Sequence, residues 1–192
     1  MTALLIGLLL FLGIHSTRIV ADGFRTRQIG RLGDKGWKGV YALASIAGFA
    51  LVVWGFGQAR QQPVVLWATP LWLRHVAALL TWAAFVLLAA AYVPGNGIKA
   101  RLHHPMVLGV KVWAFAHLLA NNTLADVLLF GSFLVWAALS FRAARARDRA
   151  AGTRYAAGRL PATLATFAVG TLAWAVFAFW LHGVLIGVKP FG

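Results

Sequence analysis

Six apolar stretches, separated by short polar and basic segments, dominate the pattern of this chain. They cover residues 3–20, 40–56, 71–93, 105–120, 124–141 and 161–188. A membrane-spanning helix needs about 20 mostly apolar residues, and a helix satisfies its backbone hydrogen bonds within its own segment, as lipid requires. The pattern therefore predicts an all-α fold, an integral membrane bundle of about six transmembrane helices.

The connections between these stretches are short. The longest cover residues 22–38 and 142–160, which is too little for a separate domain. The second is rich in Ala and Arg and could extend the fifth helix. No internal repeat or linker is visible, so residues 1–192 are expected to form one transmembrane domain. No basic segment precedes the first apolar stretch and no clear cleavage site follows it, which favours a retained span over a signal peptide.

Composition agrees with a membrane protein. Hydrophobic residues make up 61% of the chain, charged residues 11%, and the mean hydropathy is +0.77, whereas a soluble domain has about 25% charged residues. The chain has 18 Lys and Arg, only four Asp and no Glu, for a net charge of +14. In a soluble protein this excess would indicate nucleic acid. Here the basic residues lie between apolar stretches, so we expect anionic lipid headgroups and no nucleic acid as their partners.

The basic residues also predict an orientation. Fourteen of the 18 lie in the first, third and fifth connections, and three lie on the other side. Because basic loops stay in the cytoplasm, both termini are expected in the periplasm. An odd number of spans would spoil this alternation, so the charges also support six spans.

The chain contains no cysteine, so any catalytic or metal-binding side chains must be of other types. No disulfide, iron–sulfur cluster or thiolate-ligated haem can be built, and no P-loop, GxGxxG or CxxC motif is present. The residues of interest concentrate between Lys99 and Asn122, where His103, His104, Lys111 and His117 lie in or beside the fourth apolar stretch.

Depth in the membrane separates these candidates. His117 is twelve residues past Pro105, about 18 Å along a helix, which is too deep to reach the cytoplasmic surface. An ionisable residue at such depth needs a role or a partner, so His117 is predicted to bind a metal, relay a proton or hold a cofactor. Lys111, about 9 Å along, either reaches back to the headgroups or pairs with an anion, such as a haem propionate or a carboxylate. His103 is expected at the interface.

Other residues keep two interpretations each. His15, followed by Ser16 near the end of the first span, is either a ligand for a metal or haem or an interfacial histidine. Trp113 either stacks on a flat cofactor or packs. His75 and His182 are expected to be interfacial anchors.

Several motifs together resemble the NnrU family over nearly the whole chain. They are residues 31–41 (Arg-Leu-Gly-Asp-Lys-Gly-Trp-Lys-Gly-Val-Tyr), 91–96 (Ala-Tyr-Val-Pro-Gly-Asn), 103–109 (His-His-Pro-Met-Val-Leu-Gly), Trp113 and 116–121 (Ala-His-Leu-Leu-Ala-Asn).

The resemblance implies a bacterial inner-membrane protein linked to denitrification and nitric oxide metabolism. The family also includes the plant 15-cis-zeta-carotene isomerase, a haem b protein that isomerises a central cis double bond when its iron is reduced. Its two histidine contexts match His15-Ser16 and Ala116-His117, which implies these as axial haem ligands. A cysteine proposed there as an alternative ligand corresponds to Ala114, so a ligand switch to thiolate is not available in this chain.

Alternatives remain for the second axial haem ligand. With straight helices His15 and His117 differ by about 10 Å in depth, which helix tilt or a longer first helix could close. Otherwise His75 or His104 is the competing ligand. Arg18 or Lys111 is expected to meet the propionates, and Trp113 to contact the haem edge.

The expected function is thus a haem b protein with redox-gated activity, either isomerase-like on a hydrophobic polyene such as a carotenoid or in nitric oxide handling. Whether it is an enzyme stays open, as does its oligomeric state. The alternative is a cofactor-free transporter or an accessory or regulatory subunit.

Overall fold

A computed structural model describes residues 1–191 and contains eight α-helices within them. They are α1 (Thr2–Val20), α2 (Asp22–Ala59), α3 (Trp72–Tyr92), α4 (Gly97–Leu102), α5 (Pro105–Ala120), α6 (Leu124–Ala150), α7 (Leu160–Val176) and α8 (His182–Ile186). One π-helical turn, Phe177–Leu181, joins α7 to α8.

Five helical segments of the described chain are long and apolar enough to cross a membrane: α1, α2, α3, α6 and the continuous run Leu160–Ile186. The apolar helix α5 has 16 residues, which is about 24 Å of helix against a hydrocarbon thickness of about 30 Å. All six predicted apolar stretches are helical over nearly their whole length. The prediction of an all-α integral membrane protein is confirmed.

Two helices extend well beyond their apolar stretches. The helix α6 continues to Ala150, as its Ala- and Arg-rich sequence indicated, and α2 begins at Asp22 instead of near residue 40. Arg, Lys, Gln, Ala and Leu all favour helix, so helical structure extends past the apolar stretch, but in α2 a kink at Gly33 divides it into two helical segments. Within α2 only Gly33 is non-helical, at φ 72° and ψ 166°, a conformation that glycine tolerates because it has no Cβ.

The described chain divides into two compact units. The first consists of residues 1–68 and 122–140, and the second of residues 69–121 and those from 141 onward. The described part of α6 thus contributes its first 17 residues to the first unit and the rest to the second.

Glycine brings α1 and α2 into backbone contact in the first unit. A Cβ added at Gly55 would stand 2.2 Å from the Leu4 nitrogen, and one at Gly7 would stand 2.6 Å from the Val52 nitrogen. A Cβ at Gly48 would stand 2.7 Å from the Phe11 nitrogen. Because lipid and side chains are equally apolar, membrane helices associate through such close packing at small residues.

Backbone hydrogen bonds join residues 64–66 to the start of α6 in the first unit. The Leu66 N–H donates to the Asn122 carbonyl at 2.8 Å, and the Leu124 N–H donates to the Val64 carbonyl at 2.9 Å. At the start of α6, Thr123 and Asp126 form a reciprocal cap, with the Thr123 N–H donating to the Asp126 carboxylate at 3.0 Å. This capping box satisfies the free N–H groups of the first turn.

In the second unit α3 and α7 are joined by side-chain hydrogen bonds as well as by a close glycine. The Trp82 indole N–H donates to the Thr171 hydroxyl at 2.9 Å, and the Trp174 indole N–H donates to the Thr81 hydroxyl at 3.2 Å. A Cβ at Gly170 would stand 2.6 Å from the Val86 Cα.

Asn96 shapes the turn between α3 and α4. Its side chain is 2% exposed and accepts the Lys99 N–H at 2.7 Å as the cap of α4, while its amide donates to the Ala90 carbonyl at 2.9 Å. The connection before α7 packs on the same turn, since the Arg159 N–H donates to the Gly95 carbonyl at 2.8 Å. This turn therefore fixes the loop that leads into α5.

Candidate functional site

His15 lies in α1 and is held by its own helix. Its Nδ1 is 2.6 Å from the Phe11 carbonyl oxygen. A carbonyl can only accept, so Nδ1 carries the proton, and in the neutral ring Nε2 then carries the lone pair. The neighbouring Ser16 hydroxyl donates to the Leu12 carbonyl at 2.7 Å.

Three aromatic rings surround His15 within the first unit. The ring centroids of Phe11, Tyr41 and Trp136 lie 4.3, 5.0 and 6.0 Å from that of the imidazole. His15 is half-buried, whereas Arg18, one turn further along α1, is exposed. The imidazole is thus oriented by a backbone carbonyl and packed among aromatic rings.

His117 repeats this arrangement in α5, within the second unit. Its Nδ1 is 2.8 Å from the Trp113 carbonyl oxygen, four residues earlier, so Nε2 again carries the lone pair in the neutral ring. The Asn121 side-chain amide donates to the His117 carbonyl at 2.8 Å. Asn121 also ends the helix, in an extended conformation, as a capping residue does.

Trp113 and Lys111 share α5 with His117. The Trp113 ring centroid lies 5.0 Å from that of His117, so the structure brings these two predicted residues together. Lys111 is exposed, while Ala114 and Ala116 are buried, which places the lysine away from the buried face of the helix. His15 and Arg18 belong to the first unit and the α5 residues to the second.

His104, the alternative ligand at the start of α5, is engaged elsewhere. Its Nε2 lies 2.7 Å from an Asp148 carboxylate oxygen, and the Tyr155 hydroxyl donates to the same oxygen at 2.9 Å. Asp148 is the acidic residue in the connection at residues 142–160, which otherwise carries six arginines. His104 therefore ties the N-terminus of α5 to the end of α6.

Asp148 lies beyond the apolar part of α6, and its surroundings favour the carboxylate. Desolvation by burial opposes ionisation of this group, but the hydrogen bonds from Tyr155 and His104 and the charges of His104 and Arg145 outweigh it. The pKa of Asp148 is therefore lowered from the ordinary value of 3.8. Desolvation and the bond to Asp148 raise the pKa of Tyr155.

His103 occupies a strained turn beside this cluster. It is the one residue other than glycine with a positive φ in the described chain, at φ 68° and ψ −48°, and the His104 N–H donates to the Leu102 carbonyl at 2.8 Å. This is a γ-turn of the rare, strained kind. The Tyr155 ring stacks on the His103 ring at 4.0 Å and the Arg145 guanidinium donates to His103 Nδ1, so neighbouring contacts maintain the strain.

The two remaining histidines differ from each other. His75 is exposed near the start of α3, and its role as an interfacial anchor stays a prediction. His182 Nδ1 lies 2.7 Å from the Val188 carbonyl and helps to fold back the chain after α8. In the described part of the chain no group of three or more His, Cys, Asp or Glu side chains is arranged to hold a metal ion.

Sequence reasoning missed the rings of Tyr41 and Trp136 beside His15 and the partners of His104. Nothing local in the sequence links Trp136 to His15, which is 121 residues away. Asp148 did carry a signal. It is one of four acidic residues in the whole chain, and a rare carboxyl among arginines is expected to have a specific partner.

Comparison with known proteins gives one positive result. A family model described as NnrU protein matches residues 3–190, nearly the whole chain. No curated protein and no solved structure matches the chain.

Proposed function

Since the chain belongs to the NnrU family, we propose that it binds haem b through His15 and His117 and has a redox-gated activity. Both are half-buried histidines in apolar helices, and the resemblance to the isomerase implies both as axial haem ligands. The proposal concerns the cofactor first, because any redox-gated reaction depends on it.

The matching hydrogen bonds at the two histidines carry the proposal. In each, Nδ1 donates to the carbonyl oxygen four residues earlier in the same helix. Histidines that bind metal donate their second ring nitrogen in this way, which fixes the tautomer and the ring orientation. Nε2 is then the nitrogen suited to iron in both residues.

Other residues fit the remaining needs of a haem. When bound, haem supplies one-electron chemistry whose potential depends on its axial ligands and surroundings. The aromatic rings beside both histidines offer flat apolar surface. Arg18 and Lys111 are exposed cations in or beside the apolar stretches, suited to the two propionate carboxylates.

The alternative ligands are less well suited. His104 Nε2 is bonded to Asp148, so binding iron there would remove one of the hydrogen-bond partners of that carboxylate. His75 is exposed at the start of α3. We therefore retain His15 as the partner of His117.

Two reactions are compatible with a redox-gated haem site in this family. One is cis–trans isomerisation of a hydrophobic polyene such as a carotenoid, and the other is a step in nitric oxide metabolism during denitrification. A polyene would reach the protein from the lipid phase.

An absorption spectrum of the purified protein, oxidised and reduced, tests the proposal directly. The protein is expressed with an adequate haem supply, and an intense Soret band that shifts on reduction is expected. His15→Ala and His117→Ala should each alter the band, while His182→Ala, the matched control, should leave it unchanged. A protein without a Soret band would sink the proposal.

The competing function is a cofactor-free transporter or accessory subunit. In that case His117→Ala would change flux or partner binding with no optical change. A Soret band that survives His15→Ala but not His75→Ala or His104→Ala would keep the haem and reassign the second ligand.

We also propose a bacterial inner-membrane location, with the basic connections in the cytoplasm and both termini in the periplasm. The asymmetry of fourteen basic residues against three supports this orientation. Alkaline phosphatase fused after Gly192 should be active in the periplasm, and a fusion after Arg154 should be inactive. The reverse pattern would overturn the orientation.

A further inference from the structure

An open groove of about 480 Å³ lies between α1 and α6 in the first unit. Ligand sites typically have volumes of about 300–1,000 Å³. Most of the wall is aliphatic, with Leu12 and Val20 on the α1 side and Val135 and Leu139 on the α6 side. Gly131 widens the groove, since a Cβ there would meet nothing within 4 Å.

The groove runs towards a basic end of the unit. Along α1 its wall extends from Leu12 to Val20, about 12 Å of helix, and the chain then turns at Ala21 into α2. Six basic and two acidic residues lie between residues 18 and 38. Asp22, one of the two acids, is 3.7 Å from Arg25, so the basic excess remains.

Arg27 follows the groove in the chain, seven residues after Val20, the last groove residue of α1. Its Nη1 is 3.7 Å from the position of a Cβ at Gly23, so the guanidinium folds back over the first turn of α2. Arg31 follows one turn later, on the same helix face, and both side chains are exposed. An apolar groove that is followed in the chain by a pair of exposed cations is complementary to a molecule with an apolar chain and an anionic head.

We propose that this groove binds one acyl chain of an anionic phospholipid, with its phosphate held at Arg27 and Arg31. The charge decides between this occupant and a neutral apolar chain, because a neutral chain would gain nothing from the two arginines. Trp136 is part of the groove wall. The groove shares Trp136 with the surroundings of His15, but none of its lining residues is a proposed haem ligand.

Native mass spectrometry of the delipidated full-length protein tests the site. The protein is titrated with dioleoyl phosphatidylglycerol or with dioleoyl phosphatidylcholine, and the Kd of the first bound lipid is measured. Wild type should bind phosphatidylglycerol more tightly. Replacing both arginines by Gln (R27Q with R31Q) should reduce that preference by about fivefold per arginine. Arg74→Gln, an exposed arginine outside residues 18–38, should leave it unchanged.

A groove-filling variant tests the chain-binding part separately. Gly131→Leu places a side chain in the groove without a backbone clash and should abolish the first, tight binding step. Gly13→Leu is the matched control. Gly13 lies in α1, one of the two helices that form the groove, and has open space around it, but it does not line the groove. Size-exclusion chromatography and circular dichroism establish that both variants fold.

Two results would overturn the proposal. If wild type binds its first phosphatidylglycerol and its first phosphatidylcholine with equal Kd, the anionic-headgroup part of the proposal is wrong. This holds even if Gly131→Leu abolishes the binding of both lipids. If a folded Gly131→Leu variant still binds phosphatidylglycerol tightly, the groove is not the binding site.

Discussion

The contact between α1 and α2 and the contact between α3 and α7 show two ways of joining membrane helices. At the first, three glycines let the backbones touch, and a Cβ at Gly55 would overlap the Leu4 nitrogen at 2.2 Å. The second has a close glycine as well, but two indole–hydroxyl bonds cross it. The first contact should therefore be sensitive to residue size, and the second should be sensitive to both size and polarity.

The largest effect is expected where backbone meets backbone. Gly55→Leu inserts a side chain that no rotamer change can accommodate, since the clashing atoms belong to the Leu4 main chain. Overpacking of this kind costs about 1–3 kcal/mol or more, and here we expect loss of the folded protein. Monodisperse yield in size-exclusion chromatography is the measurement. Gly57→Leu, with nothing within 4 Å of its Cβ position, should fold; if both variants fold equally well, the α1–α2 contact is wrong.

A buried polar side chain in the second unit gives the next effect. Asn96→Ala leaves the Lys99 N–H and the Ala90 carbonyl without their partner, which should lower the free energy of unfolding by about 1–3 kcal/mol. Thermal unfolding in detergent measures the change. Asn122→Ala, which removes a bond to the Trp67 carbonyl at an exposed site, should cost less. Equal losses would show that burial of Asn96 is unimportant.

The indole–hydroxyl bonds are expected to contribute less. Side-chain hydrogen bonds between membrane helices average about 0.6 kcal/mol in double-mutant cycles. A cycle of Trp82→Phe and Thr171→Val should give a coupling of that size, because both changes keep most of the shape. A second cycle on Trp174 and Thr81 should give a similar or smaller value, since that bond is longer. Zero coupling in both would make α3–α7 a packing contact only.

The smallest effect is expected at Asp148, whose contribution to stability changes only when the pH becomes acidic. Its pKa is lowered in the folded protein from the ordinary 3.8, so the unfolded chain takes up a proton first as the pH falls. The stability that ionised Asp148 contributes is complete above pH 3.8 and is lost as the pH falls through the lower, folded value. Wild type should therefore lose more thermal stability between pH 6 and pH 3 than Asp148→Asn does. Asp34→Asn, at an exposed carboxyl, should behave like wild type.

The sequence predicts the apolar helices well and the polar contacts poorly, for physical reasons. Hydropathy defines where a helix must lie in lipid, so the observed ends of α1, α3 and α5 fall within a residue or two of the expected ones. It carries no information on how far a helix continues into water, which is why the start of α2 at Asp22 was missed.

The candidate site was predicted only in part. His15, Trp113 and His117 stand out as residues, and their backbone hydrogen bonds four residues back follow from helix geometry. The rings around His15 and the Asp148–His104 pair depend on contacts between residues distant in sequence. Those contacts are set by packing, which no local pattern encodes.

The π-helical turn at Phe177–Leu181 has a consequence for insertions and deletions. A π turn bonds residue i to i+5 and so holds one residue more than an α turn, which offsets everything after it by about 100° around the helix axis. Apolar stripes drawn for Leu160–Ile186 as one α-helix therefore assign the wrong face to His182 and the residues that follow. A chain with one residue deleted between Phe177 and Leu181 can form an unbroken α-helix in which the residues beyond the deletion return to the same face. Relatives that differ in length by a single residue here can therefore keep the same packing both along α7 and beyond the turn.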